Sequence, residues 1–233
     1  MIQLAAFDIA GTTVDDHGAV YVALRRSVEE AGATVAADDL QRWMGTDKIE
    51  AITALLRLGG VEPEPTVVAE RFDRFRALLA EAYSVEPPVA LPGIPEAIDR
   101  LRAAGVKVAL TTGFSDDVVE PLLAALGWEI GPEGQLDAVV TTSDVPAGRP
   151  SPYMIHLAMQ RTGVADVRRV LAAGDTVVDL EAARNAGAIA VGVLTGQTPR
   201  EALEAADHDA VLASVAEVPE YVGLGSAAPA VRA

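Results

Sequence analysis

The chain opens on a short unbroken apolar run, Leu4-Ala5-Ala6-Phe7, which stops at a single acid, Asp8. Beyond the turn that follows, apolar positions recur only at helical spacing as far as Pro87. Val20, Leu24, Val28 and Ala31 predict a helix from about Ala19 to Ala33, closed by Gly32. Asp38-Asp39 opens a second helix through Leu40 and Trp43, and Met44-Gly45-Thr46-Asp47-Lys48 interrupts it. The pattern resumes from Lys48 to Leu58 with Ile49, Ile52, Leu55 and Leu56 on one face. Gly59-Gly60, Pro63 and Pro65 mark a loop, and Val67 to Tyr83 reads as a further amphipathic helix. No strand pattern falls between Asp16 and Pro87; Pro87-Pro88 and Leu91-Pro92-Gly93 make the return linker.

From Ile94 helix and strand alternate. Predicted helices are Ile94–Ala104, Asp116–Leu126, Pro152–Arg161, Asp179–Ala186 and Arg200–Ala205. Between and after them come strands Val106–Thr111, Ala138–Thr141, Val170–Ala173, Ala188–Val193 and Ala210–Leu212. The strands are short and nearly all apolar, as burial on both faces requires. The expected fold is therefore α/β, a doubly wound parallel sheet with an inserted all-helical cap. The expected division is a catalytic core of residues 1–15 and 88–233 and a cap of residues 16–87. The tail from Gly225, with its Ala-Ala-Pro-Ala, is expected to fray.

Composition narrows the partners. The formal net charge of −16 argues against nucleic acid or an anionic membrane surface. An acidic protein that handles a phosphorylated anion needs local positive charge, so each buried-looking Lys or Arg is informative. There is no cysteine, hence no disulfide and no thiolate metal site. No run is long and apolar enough to span a bilayer, and the first strand begins too early to leave room for a signal peptide. A cytoplasmic enzyme is the expectation.

Four groups fall at or just beyond the carboxyl ends of predicted strands, where open α/β sheets place their ligands. Asp8 is followed by Ile9-Ala10-Gly11-Thr12-Thr13, a tight turn with N–H and hydroxyl donors such as that of Thr12. One role open to such an acid is that of a covalent nucleophile toward phosphorus; a turn-favouring strand end is the plain alternative. Thr111-Thr112-Gly113 offers hydroxyls and amides for phosphoryl oxygens. Arg149, held between Gly148 and Pro150, can neutralise a transferring phosphoryl group, although a surface loop is the commoner fate of such an arginine. Asp175 and Asp179 are two acids four residues apart; Asp175 beside Asp8 makes a hard oxygen site suited to Mg²⁺, while Asp179 also suits a helix N-cap.

In this order, at successive strand ends, the set resembles the haloacid dehalogenase-type superfamily of aspartyl-nucleophile hydrolases, over nearly the whole chain. The resemblance implies that Asp8 is phosphorylated during turnover, Thr112 (or Thr111) binds the phosphoryl group and Arg149 balances its charge. It also implies that Asp175 and Asp179 hold Mg²⁺ together with Asp8. Ordinary members read Asp-x-Asp after the first strand, and the second acid protonates the leaving alkoxide. Here that position is Ala10, which still has a carbonyl for the metal but no proton to give. General acid catalysis contributes about 10²–10⁴-fold, so the loss points to a leaving group that needs no proton on oxygen.

The longer strings Phe7–Asp15, Ala147–Met154 and Gly174–Asp179 are similar to the phosphonoacetaldehyde hydrolase subfamily. Its members carry a cap lysine three residues after a Met-Gly pair, which forms a Schiff base with the substrate aldehyde. Met44, Gly45 and Lys48 have that spacing. The resemblance thus implies a small phosphonate aldehyde as substrate, Mg²⁺ as cofactor and a homodimer formed through caps. Apolar positions such as Leu24 and Leu55 can serve either core or interface. The cap beyond Lys48, the stretch His17–Tyr21 and the segment from Leu194 to Val222 depart from the subfamily and leave the substrate open. The alternatives are a phosphatase of small phosphorylated metabolites such as phosphoglycolate, against which Ala10 counts, and a binding protein that has lost catalysis. No role is assigned to His17, His156 or His208; packing is expected of His156 and no partner is evident for His208.

Overall fold

The computed structural model describes residues 1–225, so all but the first residue of the expected frayed tail lies outside the described residues. In chain order the elements are β1 (Leu4–Phe7), β2 (Val14–Asp15), α1 (Ala19–Glu29), α2 (Ala37–Arg42), α3 (Lys48–Leu58) and α4 (Pro65–Val85). Then come β3 (Val89–Ala90), α5 (Ile94–Ala103), β4 (Lys107–Thr111), α6 (Asp116–Leu126), β5 (Ala138–Val140) and α7 (Tyr153–Thr162). The chain closes with β6 (Val170–Gly174), α8 (Val177–Ala186), β7 (Ile189–Val193), α9 (Arg200–Ala205), β8 (Ala210–Leu212) and α10 (Val218–Tyr221).

Six strands form one parallel sheet in the order β5-β4-β1-β6-β7-β8. The first strand is thus central and the chain winds outward from it both ways, as the alternation of helix and strand predicts. Successive side chains of a strand point to opposite faces. Ala5 and Phe7 join Val108, Leu110, Leu171 and Val191 in one core. Leu4 and Ala6 join Ala109, Val170 and Ala190 under Met154 of α7 and Leu180 of α8 in the other. The runs lack a polar alternate because neither face meets water.

Helices α1 to α4 pack on one another and continue the first of these cores. Leu24, Leu55, Phe75 and Leu79 are fully buried there, so Leu24 and Leu55 belong to the interior of the chain. Asp47 stops the preceding turn and caps α3, its Oδ1 accepting from the amides of Ile49 (2.8 Å) and Glu50 (3.0 Å). The strands β2 and β3 pair antiparallel, Val14 with Ala90 and Asp15 with Val89. The incoming and outgoing linkers of the helical segment are therefore hydrogen-bonded to each other. Two-residue strands carry no period, and the sequence did not reveal them. Among the described residues no helix is long and apolar enough to cross a membrane.

Candidate active site

The geometry starts from the register of β1. Phe7 lies opposite Leu110 on one side and Ala173 on the other, so Asp8, the next residue, stands between Thr111 and Gly174. Its amide donates to the Ala173 carbonyl at 2.9 Å, which fixes the strand end. The chain then doubles back: Gly11 has φ 81°, a left-handed turn that favours glycine, and the amides of Thr12, Thr13 and Val14 converge on the Ile9 carbonyl. The turn carries the buried Thr12 hydroxyl to Asp175, to which it donates at 2.9 Å, and sets Ala10 and Gly11 in the wall of a cavity of about 260 Å³. This cavity lies over the strand ends, between them and the helices α1 to α3.

Arg149 is buried rather than exposed. Its Nη1 donates to Asp8 Oδ1 at 2.6 Å and its Nε lies 2.9 Å from Asp179 Oδ1. Its Nη2 donates to both the carbonyl (2.7 Å) and the hydroxyl (2.8 Å) of Thr111. The guanidinium fork thus ties the ends of β1 and β4 and the start of α8 together. Thr111 is committed to Arg149, whereas Thr112 and Gly113 face the cavity.

Helix α8 starts two residues earlier than its apolar pattern suggested, and the reason corrects one expectation. Thr176, not Asp179, is the N-cap; Asp179 is the third helical residue and completes a capping box. Its Oδ2 accepts from the Thr176 amide (3.1 Å) and hydroxyl (2.5 Å), leaving Oδ1 for Arg149. A helix propensity alone does not place that cap, because both residues are good cap formers.

Asp8, Asp175 and Asp179 are all buried, and each offers an oxygen within 4.8 Å of the other two. Burial raises the pKa of Asp8, with Arg149 opposing the rise. Burial, then the charges of Asp8 and Asp179, raises that of Asp175 well above the usual carboxylate range. Among the described residues the buried cations are Arg149 and Lys48, two against three carboxylates, so the cluster is short of positive charge. A hard divalent cation fits such a set of oxygens, with the Ala10 carbonyl on the same wall.

Lys48, at the start of α3, is 4% exposed and lines the same cavity as Asp8. Its Nζ donates to the Thr46 carbonyl at 2.9 Å and lies 5.5 Å from the centre of the Phe114 ring. Burial lowers its pKa to about 8, against the pull of Asp8 and Asp47. Met44 and Gly45 line the cavity beside it. Every residue given a candidate role from the sequence therefore falls in or directly behind one cavity.

Other residues of the cavity were not singled out. Tyr21, Phe114, Thr176 and the loop Thr195-Gly196-Gln197 belong to it. That loop follows β7, so the strand-end rule that drew attention to the other groups applied to it as well. The histidines lie elsewhere: His17 Nε2 is 3.3 Å from the Pro87 carbonyl and His208 Nδ1 is 2.9 Å from the Ala206 carbonyl. His156 is exposed rather than packed, with Nε2 3.2 Å from the Ala186 carbonyl.

Residues 2–187 match the family model of haloacid dehalogenase-like hydrolases. The chain is 32% identical over 212 residues to a phosphonoacetaldehyde hydrolase of Bacillus cereus, covering 84% of this chain and 77% of that protein. It is 33% identical over 214 residues to that of Bacillus cytotoxicus, with the same coverage. Among solved structures, a hydrolase from Pseudomonas syringae superposes with a TM-score of 0.85 at 22% identity, covering 97% of this chain and all of that one. A phosphonoacetaldehyde hydrolase-like protein from Oleispira antarctica gives 0.80 at 24%, covering 95% and 91%. The chain belongs to the haloacid dehalogenase-like hydrolase family, and it is a hydrolase. Within that family its curated relatives of about one-third identity are phosphonoacetaldehyde hydrolases.

Proposed function

We propose that the protein hydrolyses the carbon–phosphorus bond of a small phosphonate aldehyde, of which phosphonoacetaldehyde is the first to test. The observation that carries this reading is Lys48: a buried amine with a pKa lowered to about 8, in the same cavity as Asp8, where Ala10 leaves no general acid. In this reading residues 16–87 are a cap that closes on a core of residues 1–15 and 88–225 and brings the amine to the strand ends.

The neutral Lys48 amine attacks the aldehyde carbon, and loss of water with uptake of one proton from solvent gives a protonated imine, the electron sink for the next step. Asp8 then attacks phosphorus through a carboxylate oxygen, and the electrons of the C–P bond flow into the imine to leave an enamine. No proton has to reach the leaving atom in that step, which is why alanine suffices at position 10. Water releases phosphate from the aspartyl-phosphate; protonation of the enamine and hydrolysis of the imine return Lys48 and the dephosphonylated aldehyde. Thr112 and the Gly113 backbone hold the phosphoryl oxygens, and Arg149 offsets their charge while keeping Asp8 in line. Asp8, Asp175, Asp179 and the Ala10 carbonyl would hold Mg²⁺, which would supply further charge neutralisation at the phosphoryl group.

Incubation with phosphonoacetaldehyde and borohydride should add the reduced two-carbon fragment to the peptide that contains Lys48. Lys48→Arg keeps the charge but forms no imine, and should lose phosphate release from the aldehyde. If no adduct forms and Lys48→Arg turns over its best substrate at the wild-type rate, the site is that of a phosphomonoesterase instead.

A further inference from the structure

Two linked hydrogen bonds run from the cavity wall to the loop after β7. Tyr21, on α1, lines the cavity, and its hydroxyl donates to Gln41 Oε1 at 2.9 Å. Gln41, on α2, in turn donates from Nε2 to the hydroxyl of Thr198 at 3.1 Å. Tyr21 and Gln41 belong to the helical segment, whereas Thr198 lies between β7 and α9 and is buried. Because Tyr21 occupies the amide oxygen, the NH₂ end of Gln41 is the one presented to Thr198.

The loop that receives this hydrogen bond is itself part of the site. Thr195 donates from its hydroxyl to the Gly11 carbonyl at 2.6 Å, which ties the loop's first residue to the turn after β1. Gly196, between the two ties, lies so close to Asp175 that a Cβ there would fall 1.8 Å from Oδ2. The backbone of this loop is therefore packed directly against the Asp175 carboxylate. On the opposite flank Arg76 of α4 pairs with Asp117 of α6, but that pair is exposed, and exposed pairs hold little. The half-buried Gln41–Thr198 hydrogen bond is shorter than the other one that joins the helical segment to the strand ends, from Arg149 Nη1 to the Gly45 carbonyl at 3.4 Å.

We propose that Gln41 is the closing latch of this active site and a positioning residue for its reaction: it fixes Tyr21 in the cavity wall and pins the 195–198 loop against Asp175. The proposal rests on the reading of residues 16–87 as a cap, not on the identity of the substrate. When the cap opens, the Tyr21–Gln41 bond stays within the helical segment, while the Gln41–Thr198 bond breaks together with the Arg149–Gly45 and Arg76–Asp117 contacts.

The test uses the full chain with Mg²⁺. Thr198→Val removes the acceptor without touching the cap, Gln41→Leu removes the donor, and the double variant removes both. One net hydrogen bond corresponds to about fivefold in the open–closed equilibrium. Amides in 44–48 and 195–198 should therefore exchange with deuterium about fivefold faster in Thr198→Val, with melting temperature unchanged. The double variant should exchange no faster than the faster single variant, since both break the same bond. In turnover, KM for phosphonoacetaldehyde should rise by the same factor with kcat little changed. Unchanged exchange in Thr198→Val, or effects that multiply in the double variant, would overturn the latch. A wild-type enzyme inert toward phosphonoacetaldehyde would overturn the substrate reading, and the exchange measurement would still decide the latch.

Discussion

Replacing Gly113 by alanine tests whether the loop before Lys48 must sit where it does. A Cβ built on Gly113 meets the Thr46 carbonyl oxygen at 2.4 Å and that of Gly45 at 3.1 Å. An unstrained carbon–oxygen contact is about 3.3 Å, so the loop has to retreat by roughly 1 Å. Both atoms are backbone, so no side-chain rotation relieves the clash. The Thr46 carbonyl is also the acceptor of the Lys48 amine, and its retreat carries that amine away from the cavity. Overpacking of this kind costs about 1–3 kcal/mol, a fall of about 2–4 °C in melting temperature for each kcal/mol at this size. A displacement of 1 Å at a reacting group costs on the order of 10²-fold in rate. Gly148→Ala is the control, because its Cβ would meet the Asp47 Cβ at 3.4 Å, an ordinary contact. The assay is phosphate release from phosphonoacetaldehyde together with a thermal melt. Equal activity in the two alanine variants would refute the argument that this backbone contact sets the position of Lys48.

The remaining predictions concern charge. Arg149→Ala should lower the rate by roughly 10²–10³-fold and, by leaving Asp8 and Asp179 unpaired, reduce stability by about 3–5 kcal/mol in urea melts; a stable variant would show that the buried pairs are dispensable. Asp8→Asn should abolish phosphate release without lowering the melting temperature in EDTA, because burial disfavours the charged carboxylate and Arg149 keeps Asp179; residual turnover near wild type would remove Asp8 as nucleophile. Lys48 must be neutral to attack, and burial lowers its pKa to about 8, so its neutral fraction grows as pH rises through that value. The initial rate of cyanoborohydride trapping should climb nearly tenfold from about pH 6 to 7 and level off above about pH 9; a flat profile would show that another group limits imine formation.

What the sequence disclosed and what it hid follow one physical line. Helices and strands buried on one stripe or on both faces leave a period, so α3, α6, α9 and β8 match the expected bounds residue for residue. Strand ends mark the site in any open parallel sheet, which is how Asp8, Thr112 and Asp175 were found. Partnerships across the fold leave no such trace. Thr12 and Asp175 are 163 positions apart, and Arg149 and Asp8 are 141 apart. Nothing local states that Arg149 bridges two carboxylates, that Thr111 rather than Thr112 serves it, or that Thr176 takes the cap from Asp179. The Thr195–Gln197 loop was overlooked for another reason: it has no charge, so its backbone closeness to Asp175 had no residue-type signature.

The antiparallel pairing of β2 with β3 marks where the inserted helices could be exchanged as a unit. Val14 and Asp15 face Ala90 and Val89, so the chain leaves the sheet layer and returns to it at adjacent points. A short hairpin bridging these points would close the chain without disturbing β1 or its neighbours, since segments whose ends meet are exchanged with little strain. Such an exchange would remove Lys48, Met44 and Gly45 while leaving Asp8, Thr112, Arg149 and Asp175 in place. In the proposed reaction the sheet carries the groups that handle phosphorus, and the interposed helices carry the one that handles carbon. On that reading, exchanging the insert alone would change the carbon chemistry and leave the handling of the phosphoryl group in place.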